Sequence, residues 1–239
     1  MKFLEFPNKC AELGIPAVEL LDFHFEKKGL DKSYLNKVKK TCKDTGVKLA
    51  CYSIGNDFTI LDPKERKKQI DYVKDAIKIA NYLEAPVIRC FCGSQHITDE
   101  AMDRVIQGYQ EVMNDAMKYN VVLAMENHWG LSVNPDNVVK IIKGVYCPTH
   151  FGSTLDFGNW ANPDRVLGAI KVAPFAKHAH AKAYVFDKKG EEPDINFKAI
   201  MAELKKNKYQ GAVSIEFEGP EDQIQGTIKT AKLCKKYLK

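Results

Sequence analysis

The chain has 239 residues, 45% of them hydrophobic, and carries 36 Lys+Arg against 31 Asp+Glu for a net charge of +5. That length fits one large domain, and the apolar fraction is ordinary for a protein with a well-buried core. The positive charge is lysine scattered along helical stretches, not a concentrated patch of arginine and aromatics, which argues against a nucleic-acid partner. No apolar run approaches the ~18 to 20 residues needed to cross a bilayer.

The cysteines are Cys10, Cys42, Cys51, Cys90, Cys92, Cys147 and Cys234, an odd number with no CxxC pair. Cys90 and Cys92 alternate inside an apolar run, where such residues fill core space more often than they bind metal. A reducing cytoplasm is the expected compartment, and Met1–Phe6 is too short to be a signal peptide.

In chain order, short apolar runs alternate with amphipathic helical stretches, the signature of βαβ units. The expected strands are Ala17–Leu21, Val47–Tyr52, Pro86–Phe91, Val121–Glu126, Gly152–Asp156, Ala176–Ala181 and Ala212–Glu218. The first expected helix runs from Pro7 to Leu13. Asp62-Pro63, Asn134-Pro135 and Asn162-Pro163 each place an N-cap before a proline at the first helical position, and Thr98 offers a further cap. Gly14, Gly46 and Gly211 stand where helices should stop. Along Pro63–Leu83, Ile70, Val73, Ile77 and Leu83 recur near a helical period and mark the inward face.

The whole of residues 1–239 reads as a single α/β domain, a (β/α)8 barrel in which the first strand is short or missing. Seven strands are countable where a closed barrel needs eight. Either Met1–Phe6 serves as a short first strand, or the barrel has a gap between Ala17–Leu21 and Ala212–Glu218. An exposed strand edge invites cover by another subunit, so a homo-oligomer is an open expectation.

Active sites of α/β barrels lie at the carboxyl ends of the strands. The last four expected strands end in Glu126, Asp156, His180 and Glu216. Side chains alternate along a strand. If Glu126 points inward, so does Ala124, and the same parity pairs Thr154 with Asp156, His178 with His180 and Ser214 with Glu216. Met125, Leu155, Ala179, Ile215 and Phe217 then face the helices, as apolar residues should. Three carboxylates and an imidazole converging without a cation would be costly, so one divalent metal ion is expected. Oxygen donors with one nitrogen suit Mn²⁺, Mg²⁺ or Co²⁺ and admit Zn²⁺.

At these residues the sequence resembles the sugar phosphate isomerase/epimerase superfamily, the xylose isomerase-like TIM barrels. The resemblance rests on Glu126-Asn127-His128, Leu155-Asp156-Phe157-Gly158-Asn159, His178-x-His180-x-Lys182 and Ser214-Ile215-Glu216-Phe217-Glu218-Gly219. It implies that Glu126, Asp156, His180 and Glu216 are the metal ligands and that Glu126 and Glu216 are the catalytic acid–base pair. His128, Lys182 and Asn159 are candidate contacts to the substrate, joined by Trp129 and Trp160 as stacking faces and Arg89 as an anchor for an anionic group. His24 is a weaker candidate for the pocket and Glu218 for support of Glu216. Ser132 replaces a glutamate usual in the ketose 3-epimerases of the superfamily, a departure that counts against free-ketose 3-epimerisation.

The implied activity is a metal-dependent isomerase or epimerase, acting through an enediolate on a sugar, sugar phosphate or keto-polyol. A keto-inositol dehydratase begins with the same step and is the alternative. An apurinic endonuclease IV shares the barrel but needs a histidine-rich trinuclear centre, and this chain has only six histidines. A non-catalytic ligand-binding barrel is the remaining alternative.

Overall fold

The structure, a computed structural model, describes residues 2–27, 29–161 and 165–238. Strands β1 (Ala17–Leu21), β2 (Lys48–Ser53), β3 (Val87–Cys90), β4 (Val122–Glu126), β5 (Phe151–Asp156), β6 (Ala176–Ala183) and β7 (Val213–Phe217) pair in chain order. Each is parallel to the next. Parallel neighbours need long crossovers, and these are the helices α2 (Lys32–Thr45), α3 (Pro63–Leu83), α4 (Asp99–Tyr119), α5 (Pro135–Val145), α6 (Arg165–Val172) and α7 (Phe197–Lys206). Helix α1 (Phe6–Glu12) precedes β1, and α8 (Gln223–Leu238) follows β7. Strand ends differ from the sequence expectation by one or two residues at most.

The open question at the amino end has a local answer. Phe3–Glu5 form a 3-10 turn that runs into α1, so no first strand forms among the described residues. Pro7 lies in the first turn of α1, where its missing N–H costs nothing, whereas a ladder would need that donor. The Lys2 backbone N–H also donates to the Glu5 carboxylate at 2.9 Å, closing the turn. The sheet is therefore a nearly closed barrel whose free edges are β1 and β7.

Helix punctuation follows the sequence closely. The Asp62 side chain accepts from the Lys64 and Glu65 N–H groups, Thr98 from Ala101 and Asn134 from Asp136. Asn162-Pro163 lies outside the described residues. Gly46 takes the left-handed conformation that ends α2, at φ 71°. Gly211 does not play that part, because α7 already stops at Lys206 and Lys208 is the residue with φ 56°. Helices α3, α4 and α5 stop at non-glycine residues in the same conformation: Glu84, Asn120 and Tyr146.

The alternation along the strands separates two cores. Met125, Leu155 and Ala179 join the main cluster between sheet and helices. Ala124 packs instead with Cys51, Val87 and the half-buried Val122, a small apolar plug. Cys90 and Cys92 are buried in the main core as free thiols. With the plug below, the polar strand ends meet above it.

Tyr146 has φ 51° and is 85% exposed, so its side chain makes little contact that could offset the strain of that conformation. Tyr146→Gly should raise stability by about 0.5–1 kcal/mol in urea unfolding. A decrease would sink the strain reading.

Candidate active site

Strand register brings the polar ends together. Glu126 of β4 lies opposite Thr154, Asp156 of β5 opposite His180, and Lys182 of β6 opposite Glu216. One donor atom from each of Glu126, Asp156, His180 and Glu216 lies within 4.8 Å of the others. His180 Nδ1 is the centre: Glu126 Oε1 and Glu216 Oε1 are each 3.1 Å away and Asp156 Oδ2 is at 3.9 Å. His180 and Asp156 are fully buried and Glu126 nearly so, while Glu216 keeps a face open to the cavity.

Each donor is held from behind. Asp156 Oδ1 accepts from the Gly158 and Asn159 backbone N–H groups at 2.7 and 2.8 Å. Its Oδ2 is buried without a hydrogen-bond partner, turned toward His180 and Lys182. Asn127 ties β4 to β5: its amide donates to the Asp156 carbonyl at 3.0 Å and accepts from the Asp156 N–H at 2.8 Å. Glu19 of β1 stands behind His180, with its two carboxylate oxygens 3.1 and 2.9 Å from Nε2.

Cations offset part of this negative charge. Lys182, 1% exposed, has its Nζ 3.0 Å from Glu216, 3.0 Å from Glu218 and 3.8 Å from Asp156. Arg89 Nε lies 3.4 Å from Glu126 and 3.8 Å from Glu19, and the guanidinium sits over the Phe91 ring at 4.3 Å. Burial pushes the Asp156 carboxyl up to about 8; Lys182 opposes this, and Glu126 and Glu216 add to it. Burial would lower His180, but Glu19, Glu216 and Glu126 hold it well above the usual imidazole range. Glu216 is driven the other way, since His180 and Lys182 outweigh its burial.

A cavity of about 420 Å³ opens over the cluster, and Arg89, Phe91, Glu126, His128, Trp129 and Glu216 are among its lining residues. Lys182 and Asn159, expected to reach substrate, do not line it. Their side chains contact the carboxylates instead, Lys182 as above and Asn159 through an amide donated to Glu126 Oε1 at 3.3 Å. Trp160 is a core residue, 6% exposed, against which Gly168 of α6 packs so closely that an added Cβ would come within 2.6 Å of the ring. His24 also stays off the cavity, stacked on Phe3 and tilted against Phe23. Ser132, the departure noted above, is buried; its hydroxyl accepts from the His128 N–H and donates to the Trp129 carbonyl, fixing the turn that carries both cavity residues.

A family model described as xylose isomerase-like TIM barrel matches residues 7–237. The chain belongs to that family. A D-psicose 3-epimerase from Clostridium cellulolyticum H10, solved with D-tagatose, superposes with a TM-score of 0.81 over 100% of this chain and 94% of its own, at 17% identity. A 3-keto-D-glucoside 4-epimerase from E. coli gives 0.76 over 98% and 92%, at 16% identity. In sequence, an uncharacterized protein of Methanocaldococcus jannaschii is 25% identical over 195 residues, 74% of this chain and 65% of that relative. The chain thus spans slightly less than two thirds of that relative's length.

The protonation of Asp156 has a measurable consequence for the metal-free protein. Its proton is held to about pH 8 when folded but leaves near 3.8 when unfolded, so folding takes up a proton between those values. Stability therefore falls as pH rises, by up to ~1.4 kcal/mol per pH unit for one proton. His180 adds a decline of the same sign only above its ordinary value of 6.5. Glu19 and Glu216 are held low, so their contributions vanish only as pH falls below the ordinary carboxylate value of 4.5. His128, lowered by burial, contributes in the opposite sense below 6.5. In urea unfolding of chelated protein between about pH 5 and 6.5, the slope of stability against pH should therefore be more negative in the wild type than in Asp156→Asn; equal slopes in both proteins would rule out the protonated Asp156.

Proposed function

We propose that the protein is a divalent-metal-dependent isomerase or epimerase that acts on a small sugar or keto-polyol through an enediolate. The observation that carries this reading is the convergence of Glu126, Asp156 and Glu216 on His180 Nδ1 at the floor of the cavity. Arg89 and Lys182 neutralise only part of the charge of the buried carboxylates. The remainder requires either protons on Asp156 and His180 or a divalent cation. The orphaned Asp156 Oδ2 and the oxygen-rich donor set with one nitrogen fit the cation. Glu126, Asp156, His180 and Glu216 would hold it. When bound, such an ion supplies Lewis-acid stabilisation of the negative charge that develops on the substrate oxygens.

The chain's own residues account for the rest of the chemistry. Glu126 and Glu216 project from different strands and both border the cavity. One removes the proton alpha to the carbonyl and becomes a carboxylic acid. The other, which must enter the step as the carboxylic acid, gives up its own proton to the opposite face of that carbon in epimerisation or to the neighbouring carbon in isomerisation, and becomes the carboxylate. Arg89 lines the cavity beside Glu126 and brings positive charge close to where a substrate oxygen would lie. Trp129 is 53% exposed at the cavity wall and offers an aromatic face to the apolar side of a sugar. The epimerase names of the structural neighbours support the substrate class without deciding the reaction.

The test is hydrogen exchange. Protein loaded with Mn²⁺, Co²⁺, Mg²⁺ or Zn²⁺ and incubated with ketoses and keto-polyols in D2O should place deuterium alpha to a carbonyl, read by proton NMR. Glu126→Gln and Glu216→Gln should each slow exchange by about 10²–10⁴-fold. A protein that binds about one equivalent of metal yet exchanges no substrate proton would be a ligand-binding barrel instead. Products then divide the chemistry, since loss of water from the exchanged substrate identifies a dehydratase.

Metal uptake should also release protons, because burial raises the Asp156 carboxyl and the surrounding carboxylates hold His180 above the usual imidazole range. The apparent affinity for Mn²⁺ should accordingly rise from about pH 6 to 8. Calorimetry in buffers of different ionisation enthalpy measures the released protons directly, and buffer-independent heats would contradict the expectation.

A further inference from the structure

Glu19 is the one charged residue of β1, Ala17-Val18-Glu19-Leu20-Leu21, and its side chain is only 8% exposed. Both of its oxygens are committed to side chains from other strands. Oε1 accepts from the Ser53 hydroxyl and lies 3.1 Å from His180 Nε2. Oε2 lies 2.9 Å from His180 Nε2 and 2.9 Å from His178 Nε2. The Glu19 carboxyl is thus fixed behind the imidazole whose other nitrogen faces Glu126 and Glu216.

We infer that Glu19 is a positioning residue that presents His180 Nδ1 to the metal, an inference that rests on the metal reading above. A neutral imidazole has a single N–H, and a carboxylate can only accept. Once His180 is neutral, as a metal ligand must be, Glu19 behind Nε2 keeps the remaining proton there and leaves the Nδ1 lone pair for the cation. The same hydrogen bond orients the ring and raises its basicity toward a cation, as a carboxylate behind a ligating histidine does. Ser53 from β2 and His178 from β6, itself 2.8 Å from Ser214 Oγ, keep Glu19 in register from both sides. Glu19, Cys51 and His178 also have donor atoms within 4.8 Å of one another. An ion at that second group would have to displace the hydrogen bonds that Glu19 already makes, so the positioning role is the one the contacts favour.

The experiment is Mn²⁺ binding to the full chain by calorimetry, with the visible spectrum of the Co²⁺-loaded protein as a second readout. Glu19→Gln should weaken binding by about 10–100-fold at unchanged stoichiometry and alter the Co²⁺ bands. Ser214→Ala perturbs the same cluster through His178 alone and should leave affinity within about twofold, since it is not behind a ligand. Wild-type affinity in Glu19→Gln, or an equal loss in Ser214→Ala, overturns the positioning role while leaving the metal site standing. Absence of binding in the wild type overturns both. Should Glu19→Gln not fold, NMR of the wild-type Co²⁺ protein decides. A paramagnetically shifted imidazole N–H that exchanges slowly with water supports the Nε2–H···Glu19 bond, and its absence overturns it.

Discussion

The structure turns on the cost of burying carboxylates beside one imidazole. Glu126, Asp156 and Glu216 approach His180 from three strands, and each would be destabilising there without compensation. The surroundings are arranged accordingly: Lys182 lies between Asp156, Glu216 and Glu218, and Arg89 between Glu126 and Glu19. Neither cation can leave without stranding a buried charge, and losing one partner of such a pair costs about 3–5 kcal/mol. That explains why Lys182, a long and flexible side chain, is held among the most buried residues of the protein. A cavity floor built this way is rigid because each group is held by its neighbours.

The same cluster bears on the open barrel. The edges of β1 and β7 lack the hydrogen-bond ladder that an eighth strand would supply. Side chains make part of the connection instead, since Glu19 on β1 reaches His178 and His180 on β6 across the barrel interior. The edge strand is thereby tied to the residues that form the site. Outside, α8 packs over β7 so tightly that a Cβ on Gly226 would come within 2.1 Å of the Phe217 ring. The missing strand leaves a gap in the ladder, while the polar interior and the helical cover still hold both edges in place.

Much of this was legible in the chain because strand parity and strand-end chemistry agree. Glu126, Asp156, His180 and Glu216 could be grouped from sequence since each follows an alternating apolar run, and the parallel register then made them neighbours. The supporting residues were harder to read. Lys182 and Asn159 have the chemistry of substrate contacts, and only three-dimensional distances show that they also support the carboxylates. Glu19 is separated from His178 by 159 residues, so no local pattern connects them. The available signal was a lone acid in a strand otherwise made of Ala, Val and Leu. Gly211 looked like a helix stop, but Lys208 takes the positive φ and the helix ends earlier. The first strand failed for a local reason, as Pro7 and the Glu5 contact favour helix over ladder.

The residues left facing the cavity narrow the chemistry further. After Lys182 and Asn159 are assigned to the cluster, Arg89, His128 and Trp129 remain on the wall, over Phe91. At about 420 Å³, the space lies toward the small end of ligand sites. Its lining mixes carboxylates and other polar groups with the aromatic rings of Phe23, Phe91 and Trp129. Ser132 contributes by shape: a buried hydroxyl bonded to both the His128 N–H and the Trp129 carbonyl cannot also serve as an acid in the pocket. Where a glutamate in that position would add a carboxylate to the wall, this chain has a locked turn. With its hydroxyl committed to that turn, Ser132 offers the cavity no acidic group.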